Sequence, residues 1–417
     1  MPDWLITGCS QLVTLGGSVP RRGKDLAELG IIRDGALLAR SDRIIAVGSR
    51  RQVERMREAR RAERLDLGGR VVLPGFVDSH THLVFPASRC SEYEQRISGR
   101  TYEEIARSGG GIRSTVDACR RTNATTLRNQ ASKRLQQFAA HGTTTLEAKS
   151  GYGLDWKSEL RILEVLRDLH QSSPLDVIPT FLGAHVIPAE YRRRPGAFVD
   201  LVVKRWIPAV ATAGLAETCD VFCDRGAFSV AQARRILSAA RGCGLMLRIH
   251  ANQLAHTGAA KLAVELEVAS ADHLEKIDRA DILALARSNV VCTLLPGCCF
   301  HLRTPHYAPA RRLIDAGAIV ALATDFNPGT SPTASMTMIL SIACSQLRMT
   351  PAEAIVAATI NPAYSLRRQD RIGSLEVGKY ADLAAFDVAD YREIPYYFGV
   401  NLCSLTMKRG AIIHRTN

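Results

Sequence analysis

The chain has 417 residues, of which 46% are hydrophobic and 23% charged. This length and composition indicate a globular protein with a sizeable core and exclude a disordered or fibrous one. No apolar run approaches the roughly 18 residues that a membrane-spanning helix requires. The N-terminal segment MPDWLITGCS has no basic region before an apolar stretch, so we expect no signal peptide and a cytoplasmic location.

The formal net charge of +13 raises the question of a nucleic-acid partner. The basic residues are interleaved with acidic ones, as in RRQVERMREARRAERLD (51–67), a pattern typical of a solvated helix. We therefore expect neither a nucleic-acid nor a membrane partner. A small anionic substrate would still be attracted by the positive field of the protein.

Eleven cysteines are scattered along the chain, and none forms a C-x-x-C pair. An odd number of scattered cysteines in a long chain argues against a disulfide framework, so we expect reduced and mostly buried thiols. For the adjacent Cys298 and Cys299 we favour a packing role over a role in a site.

From residue 71 to about residue 330, short apolar and β-branched runs alternate with longer helical stretches. Such strands, buried on both faces and alternating with helices, predict a parallel sheet, and eight of them predict a closed (β/α)8 barrel. The eight runs are residues 71–82, 142–150, 175–185, 219–224, 245–251, 268–273, 290–297 and 319–329.

The segments between these runs have the spacing of amphipathic helices. Residues 155–170 align four leucines along one stripe, with Asp155 as the candidate N-cap. Residues 229–244 begin with Ser229 as a candidate cap and stop at Gly242 and Gly244. A long insertion after the first strand contains TYEEIARSGGGIRSTV (101–116), and loops in that position carry the chemistry of barrel enzymes.

The two ends of the chain consist of short alternating strands with glycine turns, as in GALLARSDRIIAVGS and GSLEVGKYADLAAFDV. We expect them to form one small β domain together. The predicted fold class is therefore α/β, with a (β/α)8 TIM-like barrel at residues 71–365. A small β-sandwich domain is expected from both termini, residues 1–70 and 366–417.

All strands of a parallel barrel end on the same face, so polar residues at the strand ends converge even when they are distant in sequence. A lone histidine at a strand end is more often a hydrogen-bonded structural residue, but a whole series on one face is hard to assign to packing. The candidates are His80, His82, Lys149, Tyr152, His185, Asp224, His250, His273 and Asp325.

His80 and His82 are separated by one residue, so on a strand they point to the same side and can bind one ion together. His250 and Asp325 would complete a set of three nitrogen ligands and one oxygen ligand. That set suits Zn²⁺ or Fe²⁺ with an open position for water. Asp78, two residues before His80, either orients a ligand or has only a local turn role.

Several of these motifs resemble the amidohydrolase superfamily: PGFVDSHTH at the first strand, a histidine at the fifth, DH at the sixth and TD at the eighth. Longer segments, among them HTHLVFPASR, GGGIRSTV, EAKSGYGLD, DVFCDRGAFS and TDFNPGTSP, are similar to the imidazolonepropionase family. The similarity runs nearly end to end. The ordered series is far more specific than any single H-x-H pair.

The resemblance implies an enzyme of histidine degradation that hydrolyses the cyclic amide 4-imidazolone-5-propanoate to N-formimidoyl-L-glutamate. It also implies one Zn²⁺ or Fe ion per chain, and a homodimer would fit the family. The implied metal ligands are His80, His82, His250 and Asp325. The implied substrate-binding residues are Arg89, Tyr102, Tyr152, His185, Gln253, Asn327, Gly329 and Thr330, and for Tyr102 a helix-packing role is equally open.

The expected chemistry follows from the residue types. A metal ion lowers the pKa of a bound water towards about 7 and so prepares it to attack the ring carbonyl. Asp325 can accept the proton of that water and pass it to the leaving ring nitrogen. His273 and His185 are expected to donate hydrogen bonds to the developing oxyanion. Arg89 suits the substrate carboxylate because a guanidinium binds it in bidentate fashion.

The residues after the fifth strand help to distinguish this function from two alternatives. Asn252 and Gln253 stand where some family members carry carboxylates, and we interpret Gln253 as a substrate-binding amide. Barrel deaminases typically use a glutamate there to protonate a ring nitrogen, which an amide cannot do. Gln253 thus argues against the second hypothesis, an aminohydrolase of an aromatic heterocycle. The third hypothesis is a catalytically silent barrel.

Lys149 ends the second predicted strand, whereas the fourth strand, CDVFCD, contains no lysine that could bridge two metal ions. This pattern favours a mononuclear site. For Lys149 we prefer a role as charge partner of Glu147 or of a neighbouring loop over a catalytic role.

Overall fold

The computed structural model describes residues 2–100, 104–105 and 108–416. In the described part of the chain the strands, numbered in chain order, are β1 (Trp4–Val13), β2 (Ile31–Arg40), β3 (Arg43–Ser49), β4 (Glu63–Pro74), β5 (Phe76–Asp78), β6 (Thr143–Lys149), β7 (Asp176–Ala184), β8 (Thr218–Cys223), β9 (Met246–Ala251), β10 (Ser270–His273), β11 (Val291–Leu294), β12 (Ile319–Leu322), β13 (Leu383–Phe386), β14 (Cys403–Lys408) and β15 (Ala411–Arg415).

The first sheet is built from both termini, as the sequence predicts. Within the described residues it has seven strands in the order β15-β14-β13-β4-β1-β2-β3, of which β1 and β4 are parallel and the other neighbours antiparallel. Ile6 and Leu12 of β1 share a buried apolar cluster with Leu383 and Met407 from the other end of the chain. This shared core holds the two termini together.

The second sheet is the predicted barrel. Its eight strands in the described part of the chain, β5 to β12, pair in parallel and in sequence order. A parallel bridge between Thr81 and Phe326, just beyond β5 and β12, joins the first and last strands. His82 N donates to the Phe326 carbonyl at 2.8 Å, and Asp325 N donates to the His80 carbonyl at 3.1 Å. The seam thus brings three of the predicted metal ligands together.

Helices cover the barrel and fill the connections. The described α-helices are Arg50–Glu54, Cys90–Ile97, Ile112–Arg121, Ala124–Ala140, Trp156–Ser172, Pro195–Leu201, Ile207–Thr212, Val230–Gly242, Ala259–Glu265, Arg279–Ala286, Pro296–Leu302, Ala310–Asp315, Met336–Leu347, Pro351–Ala357, Ile360–Ser365 and Glu393–Tyr396. Short 3-10 turns lie at Gly23–Ala27, Glu58–Arg60 and Ala189–Tyr191, and a π-turn at Val202–Trp206.

Both predicted helix caps are confirmed. The Asp155 side chain accepts a hydrogen bond from Ser158 N at 2.8 Å, and the Ser229 hydroxyl accepts one from Gln232 N at 3.3 Å. The free cysteines are confirmed too, since all eleven lie in the described residues and none is paired. No helix in the described part of the chain is long and apolar enough to cross a membrane.

Two local predictions are wrong. The segment 51–67 is not one helix, because its helical part ends at Glu54 and strand β4 already begins at Glu63. Pairing of β4 with β1 and β13 outweighs the helix propensity of these charged residues. The apolar run 71–82 is likewise divided, since β4 ends at Pro74 in the terminal sheet and β5 begins at Phe76 in the barrel.

A buried lysine ties the terminal sheet to the barrel. Lys408 Nζ, at the end of β14, lies 2.7 Å from Asp176 Oδ2 at the start of β7 and 2.5 Å from Asp382 Oδ2. Arg409 Nη2 adds a contact of 2.9 Å to Asp176 Oδ1. These ion pairs set the orientation of the two sheets at the base of the barrel.

Candidate active site

The histidines predicted at the strand ends form one cluster at the carboxyl end of the barrel. The ring centroid of His80 lies 4.5 Å from that of His250, 5.3 Å from that of His82 and 5.7 Å from that of His273. All four residues are at most 3% exposed. Imidazoles so deeply buried need polar partners, and here they face one another.

Two overlapping groups of side chains within this histidine cluster could hold a metal ion. One potential ligand atom from each of His80, His82 and Asp325 lies within 4.8 Å of the others, and the same holds for His80, His250 and His273. The four predicted ligands are therefore brought together, and His273 lies as close as they do.

The hydrogen bonding and protonation of the histidine ring nitrogens are those of metal ligands. Nε2 of His80 and Nε2 of His250 are buried and have no hydrogen-bond partner among the described residues. Burial lowers the pKa of His80 and that of His82 well below the usual value, so both rings are neutral, as metal ligands must be. The donor set fits Zn²⁺ or Fe²⁺.

Asp325 follows β12 in a left-handed conformation, with φ of 51°. Burial raises the pKa of its carboxyl group to about 6, although His273 and His250 act in the opposite direction. The Asn327 amide donates a hydrogen bond of 2.6 Å to the Asp325 carbonyl and holds the turn. A carboxylate with a pKa close to neutrality can both accept and release a proton near pH 7.

Two buried carboxylates behind the histidines were missed by the sequence reasoning. Asp272 Oδ2 lies 2.6 Å from His80 Nδ1, and Asp220 Oδ2 lies 3.0 Å from His250 Nδ1. The sequence did contain a signal for them: each aspartate lies inside an apolar barrel strand, where a buried carboxylate without a polar partner would be costly. Carboxylates in this position orient imidazole ligands.

Lys149 is a charge partner, as the sequence analysis prefers. Its Nζ atom lies 2.8 Å from Glu147 Oε1 and 2.8 Å from Asp220 Oδ2, and its side chain is fully buried. Arg248, also buried, donates to the Ser79 carbonyl at 2.8 Å and lies 3.5 Å from Asp272. The floor of the site is thus a network of paired charges.

Asp78 fastens the barrel seam. Its carboxylate accepts hydrogen bonds from Thr324 N at 3.1 Å and Thr324 Oγ1 at 2.5 Å, and more weakly from His80 N at 3.5 Å. Burial raises the pKa of Asp78 to about 7. Its contacts to His80 are with the backbone, so it positions the chain rather than the ring.

His185 and Tyr152 form one wall of the site. The His185 ring stacks on His82 with centroids 5.2 Å apart, and Tyr152 lies 5.5 Å from His185. His185 Nδ1 lies 3.1 Å from the Gly151 carbonyl, which can only accept a hydrogen bond. Burial lowers the pKa of His185 to about 3, so the ring is neutral and its proton is on Nδ1.

Arg89 packs against the loop that follows β12. The Arg89 guanidinium pairs with Glu92 through Nε at 2.9 Å and Nη2 at 2.7 Å. It lies directly on Gly329, where a Cβ atom would collide with Nη1. Asn327 Oδ1 shapes this loop by accepting from Gly329 N at 2.9 Å and Thr330 N at 2.7 Å. Four predicted substrate residues are thus brought together.

His273 has a carboxylate partner on the side away from the cluster. Its Nδ1 atom lies 3.4 Å from Glu275 Oε1. Burial by itself would lower the pKa of His273, but the Glu275 carboxylate raises it above its usual value. His273 is therefore a better proton donor than the neutral histidines around it.

The remaining candidates differ in their roles. Asp224 accepts from the backbone N of Gln253 at 2.7 Å and of Leu254 at 2.9 Å, so it holds the loop after β9. Asn252 accepts from Ala260 N at 2.9 Å and is structural in the same way. Gln253 Nε2 reaches Cys298 Sγ at 3.5 Å. Tyr102 lies outside the described residues.

Sequence comparison with known proteins assigns the chain to a family. Residues 71–413 match the model of the amidohydrolase family. A protein from Solibacter usitatus called imidazolonepropionase is 50% identical over 416 residues, covering 100% of this chain and 99% of the relative. Another of that name from Alkaliphilus metalliredigens is 45% identical and covers 99% of this chain and 98% of the relative.

Solved structures agree in fold at much lower identity. An adenosine deaminase from Xanthomonas campestris with bound zinc has a TM-score of 0.72 at 16% identity and covers 99% of this chain and 92% of its own. A triazine hydrolase from Arthrobacter aurescens has a TM-score of 0.71 at 17% identity, covering 100% of this chain and 95% of its own. These likenesses concern the fold alone.

Proposed function

Since the chain belongs to the amidohydrolase family and, within it, to the imidazolonepropionases, we propose that it hydrolyses 4-imidazolone-5-propanoate to N-formimidoyl-L-glutamate in histidine degradation. The observation that carries this proposal is the cluster of buried histidines with Asp325, present in a chain that is 50% identical to an imidazolonepropionase throughout its length.

We propose one Zn²⁺ or Fe ion per chain, held by His80, His82, His250 and Asp325. Such an ion lowers the pKa of a bound water and polarises the ring carbonyl. Unpartnered, buried Nε2 atoms on His80 and His250 support this assignment. Metal analysis of the purified protein, with a His250→Ala variant beside it, tests it; a variant that kept the full metal complement would contradict it.

Proton transfer falls to Asp325. Its Oδ1 atom lies 3.6 Å from His80 Nε2 and from His82 Nε2, a position from which the carboxylate can take a proton from the attacking water and return it to the leaving ring nitrogen. His273 is the donor to the developing oxyanion, because Glu275 holds its Nδ1 side and raises its pKa.

For His185 we propose substrate binding instead of donation to the oxyanion. Because its proton is on Nδ1 and directed to Gly151, Nε2 presents a lone pair and cannot donate to an oxyanion. We therefore propose that His185 accepts a hydrogen bond from a ring N–H of the substrate. Tyr152, against the same wall, supports the ring, and Gln253, Asn327, Gly329 and Thr330 complete the pocket.

Arg89 is the proposed partner of the substrate carboxylate. Glu92 takes the Nε hydrogen and one Nη2 hydrogen of Arg89, so Nη1 and the second Nη2 hydrogen remain as donors to the propionate group. Loss of this charged pair is worth about 3 kcal/mol, so Arg89→Ala should raise KM about a hundredfold. Arg311→Ala is the matched control, since Arg311 also pairs with a glutamate, Glu353 at 3.0 Å, on a barrel helix. An unchanged KM in Arg89→Ala would show that the carboxylate binds elsewhere.

The reaction itself distinguishes the competing functions. Enzymatically generated imidazolonepropionate should lose its absorbance on addition of the protein, without release of ammonia. Ammonia release would identify an aminohydrolase of the same fold. A protein without either metal or turnover would be a silent barrel.

We also propose a cytoplasmic homodimer. The expected domains, residues 1–70 with 366–417 and residues 71–365, are proposed with one shift: β4 continues to Pro74, so the terminal domain includes residues 71–74 and the barrel begins at residue 75. The unpaired cysteines support a reducing compartment. Light scattering on the eluting protein gives the mass of the assembly, and limited proteolysis reports the domain boundary near residue 366.

A further inference from the structure

Lys149 occupies a position that the proposed reaction does not explain. It ends β6 with its side chain fully buried beneath the histidine cluster, and it contacts no candidate substrate group. Its Nζ atom lies 2.8 Å from Asp220 Oδ2, 2.8 Å from Glu147 Oε1 and 3.9 Å from Asp272 Oδ2. One ammonium group is therefore shared by three buried carboxylates.

Two of these carboxylates reach different metal-ligand candidates. Asp272 lies 2.6 Å from His80 Nδ1, and Asp220 lies within hydrogen-bonding distance of His250 Nδ1, at 3.0 Å. A continuous path of charged contacts thus runs from His80 through Asp272, Lys149 and Asp220 to His250. It joins the segment after β5 to β10, β6, β8 and β9.

The physical need for a cation is clear. Three buried carboxylates surround the Lys149 ammonium group, and without it Asp220 and Glu147 would each lose a charged contact of 2.8 Å and be free to turn away. A carboxylate placed beside Nδ1 of an imidazole orients the ring and directs the Nε2 lone pair to the centre of the site. Arg248 supports Asp272 at 3.5 Å, but the shared contact with both aspartates is made by Lys149.

We propose that Lys149 is a positioning residue that couples two metal ligands, because its contacts fix Asp220 beside His250 and Asp272 beside His80. This inference rests on the metal centre proposed above. On this proposal the contributions of His80 and His250 to metal affinity depend on each other, because both are linked to Lys149, which contacts neither ring.

The test uses the metal-free full chain and Zn²⁺ alone, with affinity measured by competition against a chromogenic chelator. Lys149→Met keeps the length of the side chain and removes the charge, and we expect its zinc affinity to fall about 10- to 100-fold. Lys408→Met is the matched control, because Lys408 is also buried between two aspartates but lies in the terminal sheet. It should lower the melting temperature and leave zinc affinity within about twofold.

A double-mutant cycle separates coupling from a general loss of structure. Asp220→Asn and Lys149→Met should each weaken zinc binding, and the double variant should be no weaker than Lys149→Met alone, since loss of Lys149 already releases the ligand that Asp220 positions. Losses that multiply would overturn the proposal, as would unchanged affinity in a folded Lys149→Met protein.

If Lys149→Met does not fold, the pair Asp220→Asn and Asp272→Asn answers the same question. We expect their combined loss to depart at least fivefold from the product of the single losses, whereas agreement within about twofold would show that the two histidines are held independently. A wild-type protein that binds no zinc or iron would contradict the proposed function instead, so the two failures are distinguishable.

Discussion

Gly329 is the residue at which the loop after β12 meets the Arg89 side chain. The guanidinium lies where the Cβ atom of any other residue would stand, while Asn327 fixes the loop from the other side. The obstacle to a larger residue is therefore the far end of a flexible side chain, which can move without unfolding the protein. Substrate affinity and stability should separate at this position.

We expect Gly329→Ala to raise KM about ten- to a hundredfold, because Arg89 is displaced from the position in which it meets the carboxylate. Metal content should be unchanged. Steady-state kinetics with metal analysis checks both. Gly242→Ala is the control, since a Cβ atom there would meet no described atom within 4 Å. Equal KM values for the two variants would show that Arg89 does not bind substrate.

At the level of elements, the attachment of β14 to the barrel depends on charge. Lys408 and Arg409 at its end both contact Asp176 at the start of β7. Burial alone would raise the pKa of Asp176, but these two cations lower it below its usual value. The contact therefore stabilises the folded protein only while Asp176 is ionised.

Asp176→Asn should lower the free energy of unfolding at pH 7 by about 1–3 kcal/mol, the range for hydrogen bonds to charged groups. A group with a depressed pKa contributes stability above its unfolded pKa of about 4 and loses it as the pH falls through the folded pKa. The difference between the two proteins should therefore shrink below about pH 4. Urea unfolding at both pH values measures it, and a constant difference would exclude the ionised pair as its cause.

For the whole molecule, three of the proposed metal ligands lie just beyond β5 and β12, the two strands that meet at the barrel seam, and the fourth, His250, lies on β9 on the other side of the barrel. An ion bound there ties the first and last barrel strands together. Because it binds the folded state, a ligand at a thousand times its Kd adds about 4 kcal/mol of stability.

Removal of the metal by chelation should accordingly lower the melting temperature by a few degrees, and added Zn²⁺ should restore it. Differential scanning calorimetry on the metal-free and reloaded protein measures the shift. His250→Ala should show little of it. If the melting temperature of the wild-type protein did not change on removal or addition of the metal, the ion would have to bind away from the seam.

The sequence by itself determined the barrel, the joint sheet of the termini and the order of histidines at the strand ends. These follow from local periodicity and from the rule that parallel strands end on one face. It could not predict the division of residues 71–82 between two sheets, because that depends on which strands pair.

The tertiary structure alone decided which groups stand behind the ligands. Asp220, Asp272 and Lys149 are far apart in sequence, and only the strand order and the direction of each side chain bring them into one network. The proton on His185 Nδ1 was decided in the same way, by a carbonyl at Gly151 that no spacing rule locates. Strand ends are local features, whereas hydrogen-bond partners are set by neighbours in space.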